Sequence, residues 1–364
     1  MPSEDFSELV AAIRARPAMY TGGTTLRTFN RFLRSVFVFG IEATKSGTLA
    51  LELSESGRIA LKFGKLEKPV RSDLFVTLDI VSSRYLGIFE LNFVALNALS
   101  AEFNVSFRGA DGEEVFLQKF RKGRLETGAF RSEEFAAKSV EIDCILDQKI
   151  WQFDEPLSCD LYLELLRELA YLFKGKTFEF NYLVKGEAYS AGFHYPNGLV
   201  HRISRDWTFL YWEPLLPLEF SGTSEGIEFE GALCFRDPEF EPSFVESYVN
   251  FGRTIAHGTH VQSMIEEINA AISEYAAAHY PLDKWEISSK KTFEKLATAI
   301  HVRMTKPDFE GSVRESLQSK EVVEPIRDSV ARALLNKLEE SPEKADRLLR
   351  DFRIYDEEWM SRVS

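Results

Sequence analysis

The sequence has little of what a membrane-bound, disulfide-bonded or DNA-wrapping protein needs. No apolar run in its 364 residues is long enough to span a bilayer, and the amino terminus carries no signal-peptide pattern. The three cysteines, Cys144, Cys159 and Cys234, are scattered and odd in number, which argues for a reducing compartment. A net charge of −13 does not favour wrapping nucleic acid. We therefore expect a cytoplasmic protein without membrane contact.

Signatures of catalysis and metal binding are also scarce. The sequence contains no P-loop, no nucleophile elbow and no zinc-ligand spacing. Among its six histidines, His257 and His260 lie three positions apart beside Gly258. That spacing would suit two metal ligands, but a structural turn explains it as well. We expect no metal site.

The pattern of apolar residues predicts an α+β protein with two domains, because the length exceeds one typical core. Helical spacing covers residues 5–14, 26–43, 87–100, 160–173 and 260–278, and a long charged helix is expected at about 322–352. Alternating stretches between the helices predict strands, of which those before residue 146 should form an antiparallel sheet. The pattern resets near residue 211, so we expect domains at 1–211 and 212–364.

Five segments of the chain match one known family, in that family's order. They are "IRARPAMYTG" at 13–22, "LLRELAYL" at 165–172, "FHYPNGL" at 193–199, "SYVNFGRTIAHGTHV" at 247–261 and "TKPDFEGSVRESL" at 305–317. Together they resemble the amino-terminal half of bacterial DNA gyrase B and of its topoisomerase IV counterpart. The resemblance implies a GHKL-type layered α/β ATPase domain followed by a transducer domain, which is a sheet with helices on one face and a long terminal helix.

The residues with which this family hydrolyses ATP have no counterparts in the sequence. The resemblance places the family's base and magnesium ligand, Glu and Asn, on the first long helix, where a gapless alignment puts Phe32 and Val36. Neither side chain can take a proton or hold a hard cation. The family's adenine-binding carboxylate falls near Gly64. We expect Phe32 and Val36 to pack in the core.

The phosphate loop of the family is equally altered. Its first glycine is retained as Gly87, whereas Glu90 and Asn92 stand at two other glycine positions. Side chains there would block the close backbone approach that phosphate requires, and Glu90 adds a negative charge. In the second domain, Arg314 stands where the family's lysine reaches the γ-phosphate. We consider two alternatives for Arg314: a solvated side chain on a loop, or an internal salt bridge to Glu90.

These observations predict a gyrase B-like pseudo-ATPase that binds neither ATP nor magnesium and acts as a non-catalytic interaction or regulatory protein. A protein partner is expected, either a second copy or a gyrase-type subunit. DNA contact is left open and has no support in the sequence. The alternative is an ATP-dependent type II topoisomerase component with an unusual nucleotide site.

Overall fold

The computed structural model describes residues 4–54, 57–67, 69–71, 92–129, 134–155, 157, 159–184, 187–204, 214–236, 243–311 and 314–354. The chain divides into two compact units, Met1–Pro196 and Asn197–Ser364. The predicted boundary at residue 211 lies within 205–213, outside the described residues, and stays a prediction. No helix in the described ranges is long and apolar enough to cross a membrane.

The first unit is built on an eight-stranded sheet with the strand order β10-β9-β1-β2-β8-β4-β5-β6. Strands β3 and β7 form a separate pair. The ten strands are β1 (Ser46–Ser54), β2 (Arg58–Leu66), β3 (Val70–Arg71), β4 (Ser100–Arg108), β5 (Glu114–Arg121), β6 (Arg124–Thr127), β7 (Glu134–Phe135), β8 (Ser139–Leu146), β9 (Thr177–Val184) and β10 (Glu187–His194).

This sheet is mixed, not antiparallel throughout. Strands β1 and β9 run parallel, with Thr48 opposite Thr177 and Leu53 opposite Tyr182, while the other neighbours in the sheet are antiparallel. The strands before residue 146 pair antiparallel in this sheet, as expected, and the one parallel pairing involves β9, which lies after them. Parallel neighbours need a long connection, and here the chain between β1 and β9 includes most of the unit.

Helices of the first unit bury their apolar faces. They are α1 (Glu4–Ala15), α2 (Pro17–Thr21), α3 (Leu26–Thr44), α4 (Asn92–Leu99) and α5 (Cys159–Leu172). Helix α3 is capped at its start by Thr25, whose side chain accepts a hydrogen bond from the Thr28 N–H, and at its end by Lys45, which adopts the left-handed conformation. Its Gly40 lies so close to the ring of Phe63 on β2 that no Cβ fits between them. The Phe63 ring therefore packs directly against the backbone of the helix.

The other face of this sheet carries paired charges. Glu141 on β8 binds Lys62 on β2 at 2.7 Å and Arg108 on β4 at 3.2 Å. Arg58 and Asp143 form a further cross-strand pair with an Nε–Oδ2 distance of 2.8 Å. Burial acts to raise the pKa of Glu141, but the hydrogen bonds and charges of Lys62 and Arg108 lower it below its usual value. This face is a solvated surface of neutralised pairs.

The second unit contains a five-stranded sheet in the order β11-β12-β15-β13-β14, and β13 runs parallel to β15. Its buried core joins the inner face of the sheet to helices α7 and α9. The elements are α6 (Leu199–Ser204), β11 (Leu215–Ser224), β12 (Ile227–Phe235), β13 (Phe244–Val249), β14 (Gly252–Arg253), α7 (Thr259–His279), α8 (Ser289–Lys295), β15 (Leu296–Arg303), α9 (Val323–Glu340) and α10 (Pro342–Arg350).

The long helix expected at 322–352 is two helices. Helix α9 ends at Glu340, and α10 begins with Pro342 at its first position. Proline disfavours the helical conformation in the residue before it, and Ser341 accordingly has φ −137° and ψ 61°. The break lets Leu348, Leu349 and Phe352 return to the core of this unit.

The opening segment of the chain is tied to the first unit by a nearly buried ion pair. The Arg14 guanidinium donates to Asp147 Oδ2 at 2.6 Å and to the Ala98 carbonyl at 2.7 Å. Burial acts to raise the pKa of Asp147, but hydrogen bonds from Arg14 and from the Lys149 N–H, together with the Arg14 charge, bring it below its usual value. The pair therefore explains the first arginine of "IRARPAMYTG" structurally.

We predict that Asp147→Asn lowers the free energy of unfolding at pH 7 by about 1.5–3 kcal/mol, the range for hydrogen bonds to charged groups. Because the folded-state pKa is depressed, the wild-type advantage is present above the unfolded value of about 3.9 and is lost as pH falls through the folded pKa. Urea unfolding of both proteins from pH 7 to pH 3 measures the difference. The control Asp143→Asn breaks a more exposed pair and should cost less than about 1 kcal/mol. An Asp147→Asn deficit that stays constant down to pH 3 would contradict this assignment.

Candidate nucleotide site

Phe32 and Val36, which the gapless alignment places at the family's base and metal-ligand positions, lie on the buried face of α3. Phe32 is 4% exposed and Val36 is fully buried, so both pack in the core, as expected. Their spacing of four residues places them on one side of the helix. The sheet and helices of the first unit thus surround two hydrocarbon side chains, which can neither accept a proton nor coordinate a metal ion.

Phe32 belongs to an aromatic cluster formed by Phe29, Phe32, Trp151 and Phe153. The rings of Phe32 and Trp151 stack with centroids 6.1 Å apart, and Phe29 meets Trp151 edge-on at 4.8 Å. The Trp151 indole N–H donates to the Leu99 carbonyl at the end of α4, at 3.2 Å. Buried aromatic pairs of this geometry add to the stability given by area burial alone. The cluster joins α3, α4 and the segment after β8.

Gly64 has a packing role in the middle of the sheet. It lies opposite Thr48 on β1 and Ser139 on β8. A Cβ added to Gly64 would come within 2.5 Å of the Thr48 hydroxyl oxygen. A carboxylate side chain would therefore displace Thr48. The local structure explains glycine here without a ligand.

The phosphate-loop positions are only partly described. Asn92 is the first residue of α4. Gly87 and Glu90 fall in 72–91, outside the described residues. The assignment of Gly87, Glu90 and Asn92 to a degenerate phosphate loop stays a prediction.

In the second unit, Arg314 lies on the loop that follows β15. It has φ 58°, and its guanidinium carbon lies 5.8 Å above the centre of the Phe309 ring. The loop is held by backbone hydrogen bonds from Glu310 to Ser316 and from Gln318 to Asp308. Arg314 is half-buried and its guanidinium lies over an aromatic ring, so its side chain is less exposed to solvent than the solvated alternative predicts. The salt bridge with Glu90 remains untested because Glu90 is not described.

The turn that contains His257 and His260 is held by packing and by hydrogen bonds within the second unit. Gly258 has φ 121° and packs against the Leu317 backbone so closely that no Cβ fits. His260 is fully buried, and its Nε2 lies 3.3 Å from the Thr254 hydroxyl. Burial and the nearby His257 lower the pKa of His260 to about 3, so it is neutral at physiological pH. His257 bonds instead to the Ser247 hydroxyl, at 3.0 Å.

Two residues of this region had no place in the expectations from sequence. Trp151 fills the space beside Phe32, and Asp147 holds Arg14. Both lie in the segment "DQKIWQF", 147–153, which has no periodicity and follows a strand. A tryptophan in an irregular segment was the one available signal.

We predict that Phe32→Glu, which restores the family's acidic residue, destabilises the protein by about 3–5 kcal/mol. It removes a stacked ring and buries an unpaired carboxylate. The matched control Phe32→Leu keeps the site apolar and should cost less than about 2 kcal/mol. Thermal unfolding of the three proteins measures the difference. An unchanged melting temperature for Phe32→Glu would mean that the side chain faces solvent.

Comparison with known proteins gives one consistent relationship. The family described as DNA gyrase B matches residues 198–358. The DNA gyrase B protein of Archaeoglobus fulgidus is 25% identical, over 94% of this chain and 56% of the relative. The DNA topoisomerase 4 B protein of Rickettsia bellii is 23% identical, over 87% of this chain and 52% of the relative. The chain thus spans about half the length of these relatives.

Solved structures show the same fold. The 43K ATPase domain of Thermus thermophilus gyrase B, in complex with an aminocoumarin, superimposes with a TM-score of 0.75 at 20% identity, covering 94% of this chain and 93% of that one. Gyrase B of Myxococcus xanthus gives 0.69 at 21% identity, covering 95% of this chain and all of that one. Along nearly all its length, the chain is similar to the amino-terminal half of the gyrase B and topoisomerase IV B proteins.

Proposed function

We propose that this protein is a gyrase B-like pseudo-ATPase that acts as a non-catalytic interaction or regulatory protein. The observation that carries the proposal is the burial of Phe32 and Val36 on α3, with Phe32 stacked on Trp151. In the gapless alignment of this helix, these side chains stand where the family has its base and its metal ligand. The fold is kept, and the positions that would do chemistry belong to the core.

The chemical argument concerns water and magnesium. Hydrolysis needs a base within hydrogen-bond reach of the attacking water, and magnesium needs oxygen ligands. Phe32 and Val36 offer neither, and admitting a hydrated ion beside them would expose the aromatic cluster and leave polar groups unpaired. The close contact of Gly64 with Thr48 supports the proposal further, because a carboxylate side chain at this position would have to displace the Thr48 hydroxyl.

The alternative function is that of an ATP-dependent type II topoisomerase component with an unusual nucleotide site. Its support is the similarity to an ATPase domain over 94% of the chain. Such a protein would have to take its base and metal ligand from other residues. Arg314, which stacks on Phe309, is the charged group retained at a family position that contacts phosphate. A cationic side chain can bind phosphate, but it cannot replace a base or a magnesium ligand.

The partners follow from the same account. Without hydrolysis, contacts with other proteins are the remaining means of action, and the candidates are a second copy of the chain and a gyrase-type subunit. The net charge of −13 does not favour DNA as a partner. We place the protein in the cytoplasm by analogy with its relatives.

We predict no ATP hydrolysis and no magnesium-dependent nucleotide binding. Titration calorimetry with a non-hydrolysable ATP analogue and magnesium, up to millimolar nucleotide, should give only heats of dilution, and a phosphate-release assay should match the buffer rate. The Thermus thermophilus ATPase domain serves as the positive control. Saturable binding by this protein would favour the topoisomerase alternative.

A further inference from the structure

The two edges of the eight-stranded sheet differ in their protection. At one edge, β6 has four residues, two of them the charged Arg124 and Glu126. At the other edge, β10 has eight residues, and the six between Glu187 and His194 carry no charge. Short length and charge are the usual means by which a protein prevents an edge strand from pairing with another chain. The β10 edge has neither.

The free edge of β10 has hydrogen-bonding groups to offer. Residues of an antiparallel pair alternate between those that bond to the neighbouring strand and those whose N–H and C=O groups point away from it. In a hairpin with a two-residue connection, the pair that flanks the connection is a hydrogen-bonded pair, and here that pair is Val184 with Glu187. The outward groups therefore belong to Ala188, Ser190 and Gly192, all exposed. Within the described part of the chain, no further strand pairs with this edge.

The two faces of β10 are also distinct. Phe193 is buried under α5, where the Arg167 guanidinium carbon lies 5.1 Å from its ring centre. Because side chains alternate, Tyr189 and Ala191 lie on this same face. Tyr189 is 51% exposed, a large ring with little cover in the single chain. On the opposite face, a Cβ built on Gly192 meets nothing within 4 Å.

We propose that β10 is a dimerisation strand, which pairs antiparallel with β10 of a second copy about a twofold axis at Ala191. Opposite residues in an antiparallel pair must share a face, so the axis has to pass through a residue and not between two residues. With the axis at Ala191, Tyr189 lies opposite Phe193 of the second copy. On the other face, Ser190 lies opposite Gly192 and Ala188 opposite His194.

Self-pairing with the axis at Ala191 gives more favourable side-chain contacts than self-pairing in the adjacent registers. Each Tyr189 meets an aromatic residue at a non-hydrogen-bonded position, where side chains of opposite strands come closest. The small Ser190 and Gly192 meet on the open face, and no two like charges oppose each other. A shift of the axis to Ser190 would instead set the Glu187 carboxylate against the Phe193 ring. The pairing joins two eight-stranded sheets into one.

This inference adds a partner to the interaction role proposed above. It uses none of the residues on which the loss of the nucleotide site rests, so the two fail separately. A dimer that hydrolyses ATP would refute the pseudo-ATPase alone, and an inactive monomer would refute the dimer alone.

The first test is the mass of the full chain in solution, measured by light scattering after gel filtration. We expect twice the chain mass of 41.6 kDa. Ser190→Lys should return the mass to that of one chain, because the two introduced charges would lie diagonally across the centre of the interface and repel each other. The matched control Thr127→Lys, at the end of β6, should leave the dimer intact. A wild-type monomer, or a dimer that Ser190→Lys leaves unchanged, overturns the proposal.

The second test fixes the register by oxidative crosslinking. In the dimer, Ala191→Cys places two thiols directly opposite each other, at about 4.5 Å between Cα atoms, within the range of a disulfide. Ser190→Cys places them diagonally. We expect a covalent dimer from Ala191→Cys, and only the background of the wild-type thiols from Ser190→Cys and from wild type. Crosslinking through Ser190→Cys instead, or through neither variant, overturns the stated pairing.

Discussion

The contact of α3 with the first sheet is the constraint on which the rest of this account depends. The backbone of the helix packs against the ring of Phe63 on β2 at Gly40, and the helix buries Phe29, Phe32 and Val36. Dense packing of this kind leaves a polar group no room unless a partner is built in. A nucleotide site needs a different helix face, one whose carboxylate and amide groups are accessible to solvent and to a metal ion. The same surface cannot serve both purposes, which is why two side chains decide how we interpret the whole unit.

The retained and altered residues of the family's motifs separate on physical grounds. Arg14 persists because it neutralises Asp147 and caps the Ala98 carbonyl, and Gly258 persists because the Leu317 backbone leaves no space for a side chain. These are requirements of folding. Phe32 and Val36, which we propose to replace the family's base and metal ligand, are buried apolar residues for which the fold demands no polar group. The β10 edge adds a surface on which the proposed pseudo-ATPase could act through a second copy.

The sequence predicted local structure well and long-range structure poorly. Periodicity placed α3, α5 and α7 close to their observed bounds, because helical spacing is a local property. It could not indicate that β1 and β9 run parallel, since their pairing joins residues more than a hundred positions apart. The proline at 342 could have indicated the break between α9 and α10, but the prediction of one long helix followed the charged helical pattern on both sides of it. The burial of Phe32 and Val36 was predictable by comparison with the family, whereas Trp151 was not, because its partner ring lies on a distant element.

The most direct measurement of the central claim is a crystal structure of the protein soaked with a non-hydrolysable ATP analogue and magnesium. The account predicts no nucleotide density beside α3, with the Phe32 and Trp151 rings stacked and Val36 buried as they are without nucleotide. Density for a triphosphate and a metal ion at this helix, with Phe32 displaced from Trp151, would contradict it.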